Sequence, residues 1–169
     1  PVYIAYFLAA ALATGGAAVG WLGAASSLFS FFGGILYSMF SRKNRFKKIA
    51  IYNYFFFLAG FLTLGLSQSW APVILGELIL GFCMGLNNAN LANWLSNVVD
   101  LRVRGRANGI YATLMSLGPF TAPFVFAPMI SHWDYSTAFI ASGAIFGLMG
   151  LVGLFVRSQS AVSVIVKNE

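Results

Sequence analysis

Arg42-Lys43-Asn44-Arg45-Phe46-Lys47-Lys48 is the most basic stretch of the chain, and long apolar segments precede and follow it. It holds five of the ten lysine and arginine residues, and the other five lie at alternate connections: Arg102, Arg104, Arg106, Arg157 and Lys167. The connections between them, at residues 14–18, 67–72 and 131–136, contain neither residue type. This alternation follows the positive-inside rule. It predicts a polytopic helical membrane protein whose basic connections and C-terminus are cytoplasmic.

The composition excludes a soluble globular protein. Hydrophobic residues make up 59% of the 169 residues and charged residues only 8%, whereas soluble domains carry about 25% charged residues. The net charge of +6 does not indicate nucleic-acid binding, because such proteins carry their basic residues on a helix face or an arm. Here the basic residues lie in short connections. We expect them to orient the chain and to contact anionic membrane lipids, at about 1 kcal/mol each.

Five segments are long enough to cross a membrane, since about 20 apolar residues in a helix span a core of about 30 Å. They are residues 19–40, 49–66, 73–98, 108–130 and 137–156. Residues 2–11 are apolar but too short, so we interpret them as the end of a helix whose beginning is missing. Short connections predict that consecutive helices are antiparallel neighbours. The predicted fold class is an all-α membrane bundle: residues 1–169 form one membrane domain with five full transmembrane helices and the end of a sixth.

Glycines and prolines mark positions where helices approach closely or bend. Three glycine pairs have four-residue spacing: Gly16 and Gly20, Gly81 and Gly85, and Gly143 and Gly147. Such spacing predicts close helix contacts. Pro119, Pro123 and Pro128 lie within one predicted helix, where proline removes a backbone donor and causes a kink. Pro119 and Pro123 are the candidate kink positions, and they either bend the helix beside a cavity or kink it without a functional role.

The predicted helix over residues 73–98 carries a group of polar side chains within the membrane. Glu77 is the only acidic residue in a predicted span, and ionisable groups there usually face the bundle interior or water. Five asparagines follow it: Asn87, Asn88, Asn90, Asn93 and Asn97. Unpaired amides that face lipid are costly, so they should face other helices or an aqueous path. Glu77, Asn87, Asn88, Asn90 and Asn93 are therefore candidates for a substrate cavity.

Alternatives stay open for this helix. The amides either line the cavity or hydrogen-bond to neighbouring helices; the first is favoured for Asn87 and Asn90, and the second for Asn97. Glu77 either takes part in substrate binding or in proton or cation coupling, or it is a hydrated residue near the outer end of its helix.

The basic connections supply a second group of candidates. Arg104 and Arg106 are expected to hydrogen-bond to carbonyls at helix ends or to an acidic group, of which Asp100 is the closest in sequence. Together with Arg42 they form a candidate cytoplasmic gate, because a charge network that must break can bias one of two packed states. The alternative role is orientation and lipid contact alone.

No enzymatic chemistry is predicted. His132 is the only histidine, and a lone histidine does not make an ordinary metal site. It lies in a predicted outer connection, away from the intramembrane serines Ser26, Ser27 and Ser30. Cys83 is the only cysteine and is interpreted as a packing residue. The sequence therefore predicts no catalytic residue, no cofactor and no metal.

Two motifs occur at the basic connections. The first is Arg104-Gly105-Arg106-Ala107-Asn108-Gly109, followed by Leu117-Gly118-Pro119 and Pro123. The second is Gly33-Gly34, followed by Ser41-Arg42-Lys43-Asn44-Arg45. They resemble, respectively, the connection between the tenth and eleventh helices and that between the eighth and ninth helices of the major facilitator superfamily (MFS) of transporters. The acidic residue of the second family motif has no counterpart here, because the chain reads Tyr37-Ser38.

The resemblance implies the C-terminal six-helix half of such a transporter, with the N-terminal half of the same transporter as its partner. In this family the substrate binds near the bilayer midplane between two halves that rock about it. The chain is thus expected to belong to a secondary active transporter that moves a small solute by alternating access. The expected coupling ion is a proton, and the expected location is a bacterial inner (plasma) membrane. Drug-like compounds, sugars, amino acids and organic anions all stay open as solutes, and the low charge of the spans favours an uncharged or cationic one.

A non-transporting membrane protein is the competing interpretation. It would be a scaffold or assembly subunit whose basic loops bind lipids or partners. Its polar residues would be confined to helix contacts, and the asparagine-bearing helix argues against it.

Overall fold

The computed structural model describes residues 16–40, 46–132 and 134–155, and these residues form five helices. The helices are α1 (Gly16–Phe40), α2 (Phe46–Gly65), α3 (Trp70–Val98), α4 (Arg104–His132) and α5 (Tyr135–Phe155). Each begins slightly before its predicted span, because the helical hydrogen-bond pattern continues beyond the hydrophobic core. Residues 2–11, Arg42 and the tail that follows Phe155 lie outside the described residues.

Four of the described helices are long and apolar enough to cross a membrane, namely α1 over Gly20–Met39, α2, α3 and α5. The all-helical membrane bundle is therefore confirmed for these four. α4 forms a continuous helix of 29 residues, which is about 43 Å at the usual rise per residue. Its role as a fifth full span stays a prediction, and so does the bend at Pro119 and Pro123.

The helices pack in the spatial order α1, α3, α2, α5. Ser26 and Ser30 of α1 face Gly81 and Gly85 of α3, so these two helices run parallel. α2 is antiparallel to both of its neighbours, α3 and α5. α1 is therefore next to α3, and the expectation that consecutive helices are neighbours is confirmed for α2 and α3 but is wrong for α1 and α2. The reason is that the glycines of α3 let the backbone of α1 come closer than a side chain would allow.

α1 packs closely on α3 because glycines allow the two backbones to approach each other. A Cβ atom on Gly85 would collide with the carbonyl of Ser30, and one on Gly33 would collide with the carbonyl of Phe82. The pairs Gly81/Gly85 and Gly143/Gly147 are confirmed as contacts, the second one against Phe61 and Leu58 of α2. Gly20 has nothing within 4 Å of a built Cβ.

Aromatic stacking joins α2 to α5. The ring of Phe146 on α5 stacks on Phe57 with 4.8 Å between centroids and on Phe61 with 5.5 Å. Leu64, Val73, Cys83 and Phe139 belong to the same buried cluster. Offset stacking of this kind adds about 0.5–1.5 kcal/mol beyond the area that the rings bury.

α4 stands apart from the other described helices. It makes small contacts with α3 and α5, and its large side chains are open, with Phe120 67% and Phe124 72% exposed. An apolar helix with this exposure leaves a face for lipid or for other protein.

Candidate functional site

The starts of α2 and α4 lie at one end of the bundle, because α3 ends there. This end, here called the basic end, carries the described basic residues Lys47, Lys48, Arg102, Arg104 and Arg106. The opposite end holds the connection from Gly65 to Trp70 and the end of α4.

Asn90 ties α3 to the first residue of α2. Its Nδ2 donates to the backbone carbonyl of Phe46 at 3.1 Å, and the side chain is buried. Its Oδ1 is buried without a hydrogen-bond partner among the described residues. Asn90 thus makes a helix contact and still has an unused acceptor.

Asn93 joins α3 to α1 at the same end. Its Nδ2 donates to the hydroxyl of the buried Tyr37 at 2.9 Å. Asn97 then donates from its Nδ2 to Asn93 Oδ1 at 2.9 Å and to the Asn93 carbonyl at 2.7 Å. Tyr37, Asn93 and Asn97 thus form a network of uncharged hydrogen-bonding groups at this end of α1 and α3.

Asn53 is a site residue that the sequence interpretation missed. It lies on α2, is buried, and donates from Nδ2 to the carbonyl of Cys83 at 3.1 Å. Its Oδ1 is also buried without a partner in the described part of the chain. The sequence did indicate this role, because a single amide within the apolar run of α2 has to face another helix.

Glu77 is buried near the opposite end of α3, with 6% of its surface exposed. Ser26 of α1 donates from its Oγ to the backbone carbonyl of Glu77 at 3.3 Å. The carboxyl Oε2 is buried, and nothing among the described residues hydrogen-bonds to it. A buried carboxyl group in a span needs a proton, a cation or a donor. The structure therefore places Glu77 inside the packing rather than at a hydrated surface.

Asn87 and Asn88 are the accessible amides of α3. Asn87 is half-buried and Asn88 is exposed on the described surface. They lie close to the middle of the 29-residue helix. The structure thus separates the predicted amides into Asn90 and Asn93, which join helices, and Asn87 and Asn88, which remain open to a ligand or to another protein segment.

Arg104 closes the last turn of α3 at the basic end. Its Nη2 donates to the carbonyl of Ser96 at 2.6 Å, while its Nε is buried without a described partner. A cation at a helix C-terminus is favoured by the helix dipole. Asp100 instead accepts from the backbone N–H of Arg102 at 2.8 Å, and Arg106 is exposed. Of the two partners predicted for Arg104, the structure shows the helix-end carbonyl.

The described residues contain no group of three or more His, Cys, Asp or Glu side chains that is placed to hold a metal ion. The polar groups described above are amides, carboxyl groups and guanidinium groups. They can hydrogen-bond to a polar solute, and a carboxylate can also take up a proton.

Apolar spanning helices with buried polar side chains define an integral membrane protein. The sequence profile of the Major Facilitator Superfamily matches residues 1–168. The chain belongs to that family.

Two plant proteins are similar to the chain. "Sugar transport protein 2" of Arabidopsis thaliana is 26% identical over 117 residues, which cover 68% of this chain and 23% of that protein. "Sugar transport protein MST4" of Oryza sativa subsp. japonica is 28% identical over 103 residues, which cover 60% of this chain and 20% of that protein. The chain thus matches about a quarter or less of these relatives. No solved structure matches it significantly.

Proposed function

We propose that this chain is the C-terminal half of a secondary transporter that moves a small neutral polar solute, with a sugar as the first candidate. The observation that carries the proposal is the row of amides on α3, of which Asn87 and Asn88 stay accessible within an otherwise apolar span. The proposed transport is by alternating access between this half and an N-terminal half, and it involves no enzymatic step.

The chemistry of the amides favours a sugar. A carboxamide both donates and accepts hydrogen bonds, and so does each hydroxyl of a sugar. Neither group carries a charge, so recognition needs no desolvated ion. The names of the two relatives support the same solute class.

Glu77 is the proposed proton-coupling residue. Its carboxyl oxygen Oε2 is buried without a partner among the described residues, and the proposal is that this carboxyl group takes up and releases a proton as its surroundings change during transport. Glu77 lies away from Asn87 and Asn88 along α3, so the proposed proton site and the proposed solute site are separate. The coupling therefore acts through the movement of α3 against α1.

The proposed topology keeps the basic end in the cytoplasm, with Arg104 as part of a gate there. Arg104 holds the carbonyl of Ser96, so a movement of α4 would break a bond at the end of α3. Membrane lipids and the N-terminal half are the proposed partners. The expected bacterial membrane stays a prediction, since both relatives are plant proteins.

Transport by the full-length protein in proteoliposomes tests the proposal. We expect uptake of one or more neutral monosaccharides, accelerated by an imposed proton gradient and abolished by a protonophore. Amino acids and organic anions of similar size serve as controls. Uptake of an anion in preference to every sugar would contradict the solute class, and no solute movement at all would favour a scaffold.

A further inference from the structure

A groove lies between α2 and α5 at the basic end, on the side of the bundle away from α1. Its volume is about 530 Å³. The lining residues come from both helices: Lys47, Ala50, Ile51, Tyr54, Ile145, Leu148, Met149, Val152 and Gly153. It is separate from the amides of α3.

Each of the two helices contributes a small residue to the lining of the groove, Ala50 from α2 and Gly153 from α5. A Cβ atom on Gly153 would lie 3.0 Å from Ile51 Cγ1, so a larger residue there would fill the floor. Ala50 leaves room on the α2 side. The walls are the open side chains of Ile145, Leu148 and Val152, which are 58%, 61% and 60% exposed. Such a surface fits a hydrocarbon chain.

The charge at the groove is one-sided. Lys47 lies at its mouth in the first turn of α2, and the described residues that line the groove include no acidic side chain. Tyr54 lies two turns deeper. The residues from Lys47 to Tyr54 cover about 10 Å along the helix, which fits within one leaflet of a core about 30 Å thick.

We propose that this groove binds one anionic phospholipid, with its phosphate on the ammonium group of Lys47 and one acyl chain along the groove between α2 and α5. The lysine stem can lie on the apolar wall while its charge reaches the headgroup level. An anionic lipid complements the charge at the mouth, and a zwitterionic lipid of the same chain length does so less well. The site does not depend on the proposed transport activity.

Native mass spectrometry of the full-length protein in detergent tests the site, with phosphatidylglycerol and phosphatidylcholine of identical acyl chains as probes. We expect tighter binding of phosphatidylglycerol. Lys47→Gln should weaken that binding by fivefold or more, because the phosphate loses a charge-assisted hydrogen bond, and Lys47→Arg should retain it. The adjacent Lys48→Gln, which does not line the groove, should change it less than twofold.

A second pair of variants tests the apolar part. Met149→Trp places a ring in the groove and should displace the lipid, whereas Leu151→Trp alters a similarly exposed α5 position outside the lining and should not. Thermal unfolding of each variant without added lipid shows whether it is folded. Equal effects of Lys47→Gln and Lys48→Gln, equal binding of the two lipids, or equal effects of the two tryptophans would each overturn the site.

Discussion

Three buried oxygens without described partners stand out among the single residues: Asn53 Oδ1, Glu77 Oε2 and Asn90 Oδ1. An unsatisfied buried polar atom costs about 1–3 kcal/mol. In each amide the Nδ2 group is used for a helix contact, so the oxygen is the part that remains available. These residues therefore combine a packing role with a capacity to accept one more hydrogen bond.

The two kinds of amide on α3 should respond differently to replacement by leucine. Asn87→Leu should raise the KM for the solute about tenfold, because a solute hydroxyl loses its partner, and should leave the thermal midpoint nearly unchanged. Asn90→Leu should lower the unfolding free energy by about 1 kcal/mol, since it loses the bond to Phe46. Transport kinetics and thermal unfolding of both purified variants measure this. The reverse pattern would place the solute at Asn90.

Glu77→Gln mimics the protonated carboxyl group permanently. We expect this variant to exchange solute across the membrane at a rate close to that of the native protein, but to lose accumulation driven by a proton gradient. Counterflow and gradient-driven uptake in the same proteoliposomes separate the two activities. Accumulation at the native level in Glu77→Gln would remove this residue from coupling.

Asn53 offers a test of hydrogen bonding inside the bundle. Asn53→Asp keeps the size of the side chain, but it removes the donor to the Cys83 carbonyl and buries a carboxyl group. Asn53→Leu removes the unsatisfied oxygen together with the donor. We expect the aspartate to lower the thermal midpoint clearly and the leucine to change stability by about 1 kcal/mol or less, near the usual value of one interhelical bond in a membrane. Equal midpoints for the two variants would contradict the burial of this position, because only the aspartate places an ionisable group there.

Contacts between elements depend on a few glycines, and adjacent positions on α1 differ sharply. A Cβ on Gly33 would meet the backbone of Phe82 and Leu86, whereas one on Gly34 meets nothing within 4 Å. Gly33→Ala should therefore separate α1 from α3 and destabilise the protein by about 1–3 kcal/mol. Gly34→Ala should be neutral or stabilise by up to about 1 kcal/mol through helix propensity. Thermal unfolding of this matched pair checks it; loss of stability in Gly34→Ala alone would contradict the packing.

Helix positions are the part of the fold that the sequence predicted well. Long apolar runs with basic or polar ends restrict where a spanning helix can begin and end. The length of these runs therefore predicted the positions of α1, α2, α3 and α5. Which helices pack against each other was harder to predict. The spacing of Gly81 and Gly85 indicates a close contact but does not say which helix makes it, and the contact turned out to be with α1 rather than with the next helix in the chain.

The candidate site was predictable in its residue types but not in its division of roles. Five amides on one helix indicated a polar face, yet the sequence analysis favoured the same cavity role for Asn87 and Asn90. Only the position of the start of α2 shows that the Asn90 side chain donates a hydrogen bond to the carbonyl of Phe46. Asn53 was not predicted, because a single amide in an aromatic run does not define a polar helix face.

At the scale of the whole molecule, the alternating direction of the helices puts the described basic residues at a single end. We expect cysteines introduced at Lys47 and Arg104 in a Cys83→Ala background to be protected from an impermeant maleimide added outside intact cells. Cysteines at Gln68 and Asp134 should react. Labelling at position 47 together with protection at 134 would invert the proposed orientation.

The native thiol of Cys83 provides a probe for the separation of α2 from α3. Its side chain is fully buried beside the contact between Asn53 and the Cys83 carbonyl, so a reagent can reach the sulfur only while α2 and α3 are apart. Since thiols react as exposed thiolates, the modification rate of Cys83 reports how often that seam separates. If a transported solute changes the modification rate of Cys83, the solute alters how often α2 and α3 separate, and no engineered label is needed to measure this.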